Sequence, residues 1–187
     1  MNDAFFQSYV SRLHSSFVQD RWGEIAQLGN ALREAWREKR QVFLCGNGGS
    51  AGNAIHLAND FNYGIDMMNG IGLRVEALPA NASVITCLAN DEGYDIVFSQ
   101  QLMVKGNPED ILVVLSGSGN SPNVIKALDV ANKIGMKTFA ILGFSGGKCK
   151  QLAQVPIHFE IDDMQISEDL QLITGHMCMQ WLSANPI

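Results

Sequence analysis

The chain has 187 residues, 47% hydrophobic and 17% charged, enough to bury a substantial core in one α/β domain spanning residues 1–187. Its 13 basic and 19 acidic residues leave a net charge of −6, which excludes a broad basic footprint for nucleic acid or an anionic membrane. No stretch is long and apolar enough to cross a bilayer. The first residues, MNDAFFQSYV, lack a positive region followed by an apolar one, so a cytoplasmic protein without membrane partners is expected.

Residues 3–39 read as two amphipathic helices. Phe5, Phe6, Tyr9, Val10, Leu13 and Phe17 recur at helical spacing, followed by Ile25, Leu28, Leu32 and Trp36. Helices ahead of a first strand must cover the sheet or meet another subunit, and the large aromatics favour subunit contacts for the 1–39 extension. Next comes VFLCGNGGSAGNAIHLAND (residues 42–60), in which the strand Val42–Cys45 runs into a glycine cluster. Ser50 is placed to cap a helix carrying Ala54, Ile55, Leu57 and Ala58. Strand, glycine turn and helix N-terminus together form an anion site, because the first N–H groups of a helix lack partners. Gly46, Gly48 and Gly49 let the backbone approach a ligand closely. His56 and Asp60, four residues apart, share one helix face.

Leu73–Leu78 reads as a second strand, ended by Pro79, and Asn81 as the cap of a helix over Ala82–Ala89. Asn90–Gly93 reads as a turn and Tyr94–Val104 as a further helix. After the turn Gly106–Asp110, Ile111–Leu115 is a continuous apolar run, the mark of a strand buried on both faces. It opens into Ser116–Ser121, followed by a helix (Val124–Ile134), a fourth strand (Lys137–Leu142) and a glycine loop (Gly143–Gly147). Val155–Phe159 is a short fifth strand and Ser167–Trp181 the last helix. This alternation predicts a doubly wound, five-stranded parallel sheet flanked by helices, with ligands at the carboxyl ends of the strands.

Gly46–Ala51 satisfies G-x-G-x-x-A, the dinucleotide fingerprint. The ribose-binding acid expected about twenty residues on is represented only by Asp66, in a poor strand context, or the more distant Glu76. Ser116, Ser118 and Ser121 offer more hydroxyls than a turn requires, beside Gly117 and Gly119. Two such loops on one parallel sheet can hold one sugar phosphate between them, which weighs against a nucleotide-cofactor enzyme. The four cysteines (Cys45, Cys87, Cys149, Cys178) fit neither zinc spacing nor a disulfide framework, and Cys45 and Cys178 lie in apolar runs that favour a reduced, buried thiol. His14 and His158 read as structural.

The CGNGGS and LSGSGNS loops, each after an apolar strand, resemble the two signatures of the SIS (sugar isomerase) domain. Within that superfamily the chain is similar over nearly its whole length to the bacterial phosphoheptose isomerases. The similarity extends to Asn90-Asp91 with Gly93, the GNS of the serine loop, VIKA (Val124–Ala127) and GGK (Gly146–Lys148). The resemblance implies interconversion of sedoheptulose 7-phosphate and D-glycero-D-manno-heptose 7-phosphate, a lipopolysaccharide precursor, by a homotetramer with active sites near subunit contacts. Some members bind zinc.

Carried over residue by residue, the resemblance implies that Ser50, Ser116, Ser118 and Ser121 hold the phosphate with Asn47 nearby. Gly48, Gly49, Asn81, Asn90, Asp91, Gly117 and Glu168 complete the substrate site. His56 matches a metal ligand, and Asp60 falls where the family has its catalytic, metal-binding glutamate. His176 matches the last-helix histidine that works with it, and Glu168 falls where many members have a glutamine ligand. A divalent metal, zinc in particular, is therefore expected on His56, Asp60, Glu168 and His176. There are departures: Asp60 is one methylene short, Gly117 replaces a ligand-touching threonine, Ala51-Gly52 replaces bulkier residues, and Asn81 replaces a sugar-binding aspartate. The phosphate end is kept while the sugar end is altered.

Asp60 and His176 suit the proton transfers of aldose–ketose isomerisation through an enediol, with either as base. The SIS domain also serves as a sugar-phosphate sensor and as an adaptor for the bacterial replication initiator. That adaptor resembles an isomerase lacking the carboxylate and the last-helix histidine. The presence of both here favours an enzyme.

Overall fold

The apolar runs of the sequence pair side by side at the centre of the molecule. In the computed structural model, which describes residues 3–18 and 20–187, five strands form one parallel sheet. They are β1 (Gln41–Cys45), β2 (Arg74–Ala77), β3 (Ile111–Ser116), β4 (Lys137–Leu142) and β5 (Val155–His158), in the spatial order β2-β1-β3-β4-β5. Val42 lies opposite Val75 on one side and Ile111 on the other. The strand order reverses between β1 and β3, so the loops leaving these two neighbours turn to opposite faces and open a crevice between them.

Successive side chains of a strand point to opposite faces, and both faces here are covered. Val42, Leu44, Ile111, Val113 and Leu115 enter one core. There they meet Leu28 and Leu32 of α2 (Trp22–Glu38), Ala54 and Leu57 of α3 (Gly49–Asn59), and Leu170 and Leu182 of α8 (Met164–Ala184). Phe43, Cys45, Leu112 and Val114 enter the other, against Phe98 and Leu102 of the α5 region (Ser99–Lys105) and Val124 and Leu128 of α6 (Pro122–Ile134). Burial pushes the Cys149 and Cys178 thiols up to about 12 and the Cys45 thiol higher still, so all three stay protonated.

Several boundaries differ from the sequence expectation, each for a local reason. Gly48 (φ 55°), not Ser50, holds the N-cap of α3; Ser50 lies inside the first turn and is buried. Asn90 and Asp91 belong to the end of α4 (Ala82–Asp91), which narrows the turn to Glu92 and Gly93. The helix expected over Tyr94–Val104 is broken into a 3-10 turn (Tyr94–Ile96) and α5, because the chain bends to insert Val97 and Phe98 into the second core. The short α7 (Cys149–Leu152) carried no pattern long enough to read. Finally, α8 starts at Met164, ahead of its first buried residue, because Asp163 caps it.

Asp163 also ties down α1 (Asp3–Phe17). Its Oδ1 accepts from the Ile166 N–H at 3.1 Å and its Oδ2 from Arg12. Tyr9 donates to Asp169 one turn further along α8, and burial, then this bond, raise the phenol to about 12. The Ile166 N–H, aided by Arg12, holds the Asp163 carboxyl below its ordinary 3.8. A depressed carboxyl stabilises the fold above its unfolded pKa, and that contribution is lost as pH falls through the folded value. Asp163→Ala should therefore cost about 1 kcal/mol of stability near neutral pH. In thermal melts the gap from the parent protein should close progressively below pH 3.8.

Candidate active site

The first loop places Gly46 under the backbone of β3. A Cβ there would lie 2.7 Å from the Leu115 carbonyl oxygen, so only glycine fits. The serine loop follows β3 and rests on the third glycine loop. Gly143 N–H donates to the Gly117 carbonyl at 2.9 Å, and Lys148 N–H donates to Asn120 Oδ1 at 3.1 Å. At Gly119 (φ 65°) a Cβ would strike the Gly146 carbonyl oxygen at 2.0 Å. The GGK motif is thus the floor beneath the serine loop.

Asn47 and Asn123 clamp the two loops together. Asn47 Nδ2 donates to Asn123 Oδ1, and Asn123 Nδ2 donates back to Asn47 Oδ1, both at 2.8 Å. The Tyr94 hydroxyl adds a donor to Asn47 Oδ1 at 2.9 Å. Asn123 is 2% exposed and also accepts from the Val124 N–H. The Asn47 side chain, expected near the phosphate, is therefore largely engaged in holding the loops.

The serine hydroxyls are arranged in one sense. Ser50 Oγ accepts from Gln171 Nε2 at 3.1 Å, Ser116 Oγ from Gly119 N–H at 3.1 Å, and Ser118 Oγ from Asn120 N–H at 3.3 Å. Ser121 is the N-cap of α6 yet makes no side-chain cap bond. A hydroxyl that accepts from an N–H keeps its own proton to donate. The loops thus offer donors, which is what a phosphate takes.

Helices α3 and α8 run side by side in the same direction. Glu168 lies against Gly49, and Asn53 donates to the Glu168 carbonyl and to Gln171 Oε1, both at 3.0 Å. Leu57 fits against Gly175, and His56 meets His176. His56 Nε2 and His176 Nε2 are 3.0 Å apart, and Asp60 Oδ2 is 3.4 Å from each. Asp60 opens a π-helical turn (Asp60–Gly64), a distortion common at functional sites. Asn62 pins that turn to the edge of the sheet by bonding both the N–H and the C=O of Val75.

His56, Asp60 and His176 offer three donor atoms within 4.8 Å of one another, a group able to hold a metal ion. Tetrahedral zinc with ligands about 2.0–2.1 Å away has its donors roughly 3.3 Å apart. The observed separations fit that geometry, and the donor set suits it. Glu168, expected among these ligands, does not join them. The parallel register pairs Glu168 with the start of α3 and His176 with the residues two turns along, and the helix N-terminus favours the carboxylate where it is.

Other expected residues are placed as follows. Gly117 is buried, and Met164 Sδ fills the space that a side chain at 117 would need. Asn81 caps α4 by accepting from the Val84 N–H. Asn90 and Asp91 bond to each other, and Asp91 accepts from Cys87. Asp66 is tied within its own turn by Asn69, and Glu76 is paired with Lys105, so neither serves a ribose at the glycine loop. His158 is structural, donating to the Phe144 carbonyl at 2.8 Å. Gln171, Asn123 and Tyr94 were missed. Gln171 sits one turn beyond Glu168 and Asn123 just after the GNS run, but nothing in the sequence said what they would face.

The sequence profile of the SIS domain matches residues 5–143. A phosphoheptose isomerase of Chlorobaculum parvum is 38% identical over 92% of this chain and 83% of its own length. That of Synechocystis sp. is 37% identical over 91% of this chain and 88% of its own. The solved structure of the phosphoheptose isomerase from Neisseria gonorrhoeae superposes with a TM-score of 0.89 at 26% identity, covering 97% of this chain and 96% of that one.

The clamp makes a prediction independent of any reaction. Asn123→Leu keeps the branched shape but removes both of the bonds between Asn123 and the Asn47 amide, leaving only that from Tyr94, so chemical denaturation should show a loss of about 1–3 kcal/mol.

Proposed function

The chain belongs to the SIS domain family, and on that premise we propose that it is an aldose–ketose isomerase of the phosphoheptose isomerase kind. It converts sedoheptulose 7-phosphate to D-glycero-D-manno-heptose 7-phosphate. The observation that carries this reading is the meeting of Asp60 and His176, 116 positions apart in sequence, at 3.4 Å beside the phosphate cradle. Ser50 and His56 are six residues apart on α3, about 9 Å along the helix. An open-chain sugar phosphate bridges that span, with its phosphate in the serine loops and its carbonyl carbons at the histidines.

In the forward direction a base takes a proton from C1 while the C2 oxygen gains one, giving an enediol. The O1 proton then leaves and C2 is protonated, giving the aldose. Asp60 and His176 are close enough to serve adjacent carbons and their oxygens. A divalent metal, for which we favour zinc, would be held by His56, Asp60 and His176 and would polarise the substrate oxygens. The adaptor and sensor readings lose ground because the carboxylate and the last-helix histidine are both present and in contact.

Purified protein incubated with a panel of ketose and aldose phosphates should interconvert the heptose pair, followed by NMR. Asp60→Asn and His176→Ala should each cut turnover by at least about 10²-fold. The double variant should be little worse, because groups acting as a unit are non-additive. Ser116→Ala with Ser121→Ala should raise KM strongly and leave the fold intact. Full activity surviving both Asp60→Asn and His176→Ala would overturn the assignment.

Two further proposals accompany this reading. The free thiols fit a reducing, cytoplasmic setting. A homotetramer using residues 3–39 is supported by the outward face of α1, where Phe5, Phe6 and Val10 are 70%, 50% and 63% exposed. A cavity of about 390 Å³ between α2 and α8, lined by Trp22, Gly29, Met177 and Trp181, adds apolar surface beside it. Light scattering at micromolar concentration should give about four times the 20.4 kDa chain mass, and Phe5→Glu with Val10→Glu should lower it. A monomeric parent protein would refute the proposal.

A further inference from the structure

We infer that Gln171 is a positioning residue that fixes the Ser50 hydroxyl as a hydrogen-bond donor to the substrate phosphate. It thereby couples the phosphate cradle to the helix that carries His176. The inference rests on the isomerase reading for its substrate, but not for its test.

Gln171 is 1% exposed, on the face of α8 that packs against α3. Both ends of its amide are used. The oxygen accepts from Asn53 Nδ2, and the nitrogen donates to Ser50 Oγ at 3.1 Å. The orientation is not arbitrary. Asn53 Nδ2 also donates to the Glu168 carbonyl, which can only accept, so the Asn53 nitrogen must face α8. That nitrogen requires the Gln171 oxygen, and the Gln171 nitrogen is left for Ser50. The chain of bonds therefore has one direction and ends at the Ser50 O–H proton.

That proton has no acceptor among the described residues, and it sits in the first turn of α3, beside the backbone N–H groups of the cradle. A phosphate dianion has no proton to give at its terminal oxygens, so Ser50 helps only by donating. Were Ser50 to donate inward, its lone pairs would face the phosphate and repel it. Gln171 prevents that turn. Ser116 and Ser118 are set in the same sense by backbone N–H groups, whereas Ser50, inside a helix turn, depends on a side chain from another helix.

Gln171→Glu keeps the shape and the Asn53 bond but replaces the donor with an acceptor, so Ser50 turns inward. KM should rise by at least about a hundredfold, with kcat within a few fold of the parent. Gln171→Met removes the donor without inserting an acceptor, and KM should rise by about tenfold, the scale of one bond to a charged group. Because Gln171 acts through Ser50, Ser50→Ala and Ser50→Ala/Gln171→Met should share one KM. A merely structural role would instead lower kcat through His176 and multiply in the double variant, and that result overturns the inference. So does an unchanged KM in folded Gln171→Met, the variant that decides if Gln171→Glu does not fold. Calorimetry with inorganic phosphate reads the same order of affinities without turnover. If no sugar phosphate is isomerised, the proposed function fails while the phosphate series still decides Gln171.

Discussion

Helix α8 lies beside α3, pointing the same way and in step with it, and both chemical halves of the site depend on that pairing. At one end Gln171 reaches Ser50 at the first glycine loop, and about one and a half turns on His176 reaches His56 and Asp60. The step is kept by close fits. A Cβ on Gly175 would lie 2.4 Å from Leu57, so the helices approach closely where leucine meets glycine. A helix shifted by one residue would turn each of these side chains by about 100° and separate all the pairs together. A single packing event thus fixes the Ser50 end and the Asp60 end of the site together.

Much of the fold was legible because strand burial leaves a plain mark. Ile111–Leu115 is a continuous apolar run and Lys137–Leu142 ends in one (Phe139–Leu142), and both became interior strands with the expected limits to within a residue. The glycine and serine loops were equally plain, since such clusters at strand ends stand out from their apolar flanks. Less legible was whatever depends on which helix lies beside which. Periodicity places His176 on a helix and Asp60 on another, but only the strand order brings α3 and α8 to one face. The same holds for Gln171, a polar residue in an apolar helix until Ser50 is found opposite it. The π-helical turn at Asp60 has no sequence signature of its own, and the bonds by which Asn62 holds it to the sheet edge involve the backbone of a residue 13 positions on.

Glu168 shows how a correspondence of residues can mislead about their surroundings. The resemblance implies a metal ligand at this position, yet its carboxylate lies at the positive end of α3. A glutamine there would carry no charge and gain less from the helix N-terminus. Gly117 and Met164 form a fitted pair, in which the thioether occupies the space that a side chain on the serine loop would need.

In the proposed function the two loops would recognise a phosphate without a cation. Neither loop contains Lys or Arg, and the chain is acidic overall. The attraction must come from the N–H groups of two helix N-termini and from hydroxyls whose protons point outward. Such a site is selective by geometry. A mobile lysine attracts any anion within reach, whereas fixed donors reward only a group whose oxygens meet them. On that proposal the buried polar structure around the four serines has a use: the Asn47–Asn123 clamp, the glycine floor and Gln171 would each remove a freedom that lets a hydroxyl turn away.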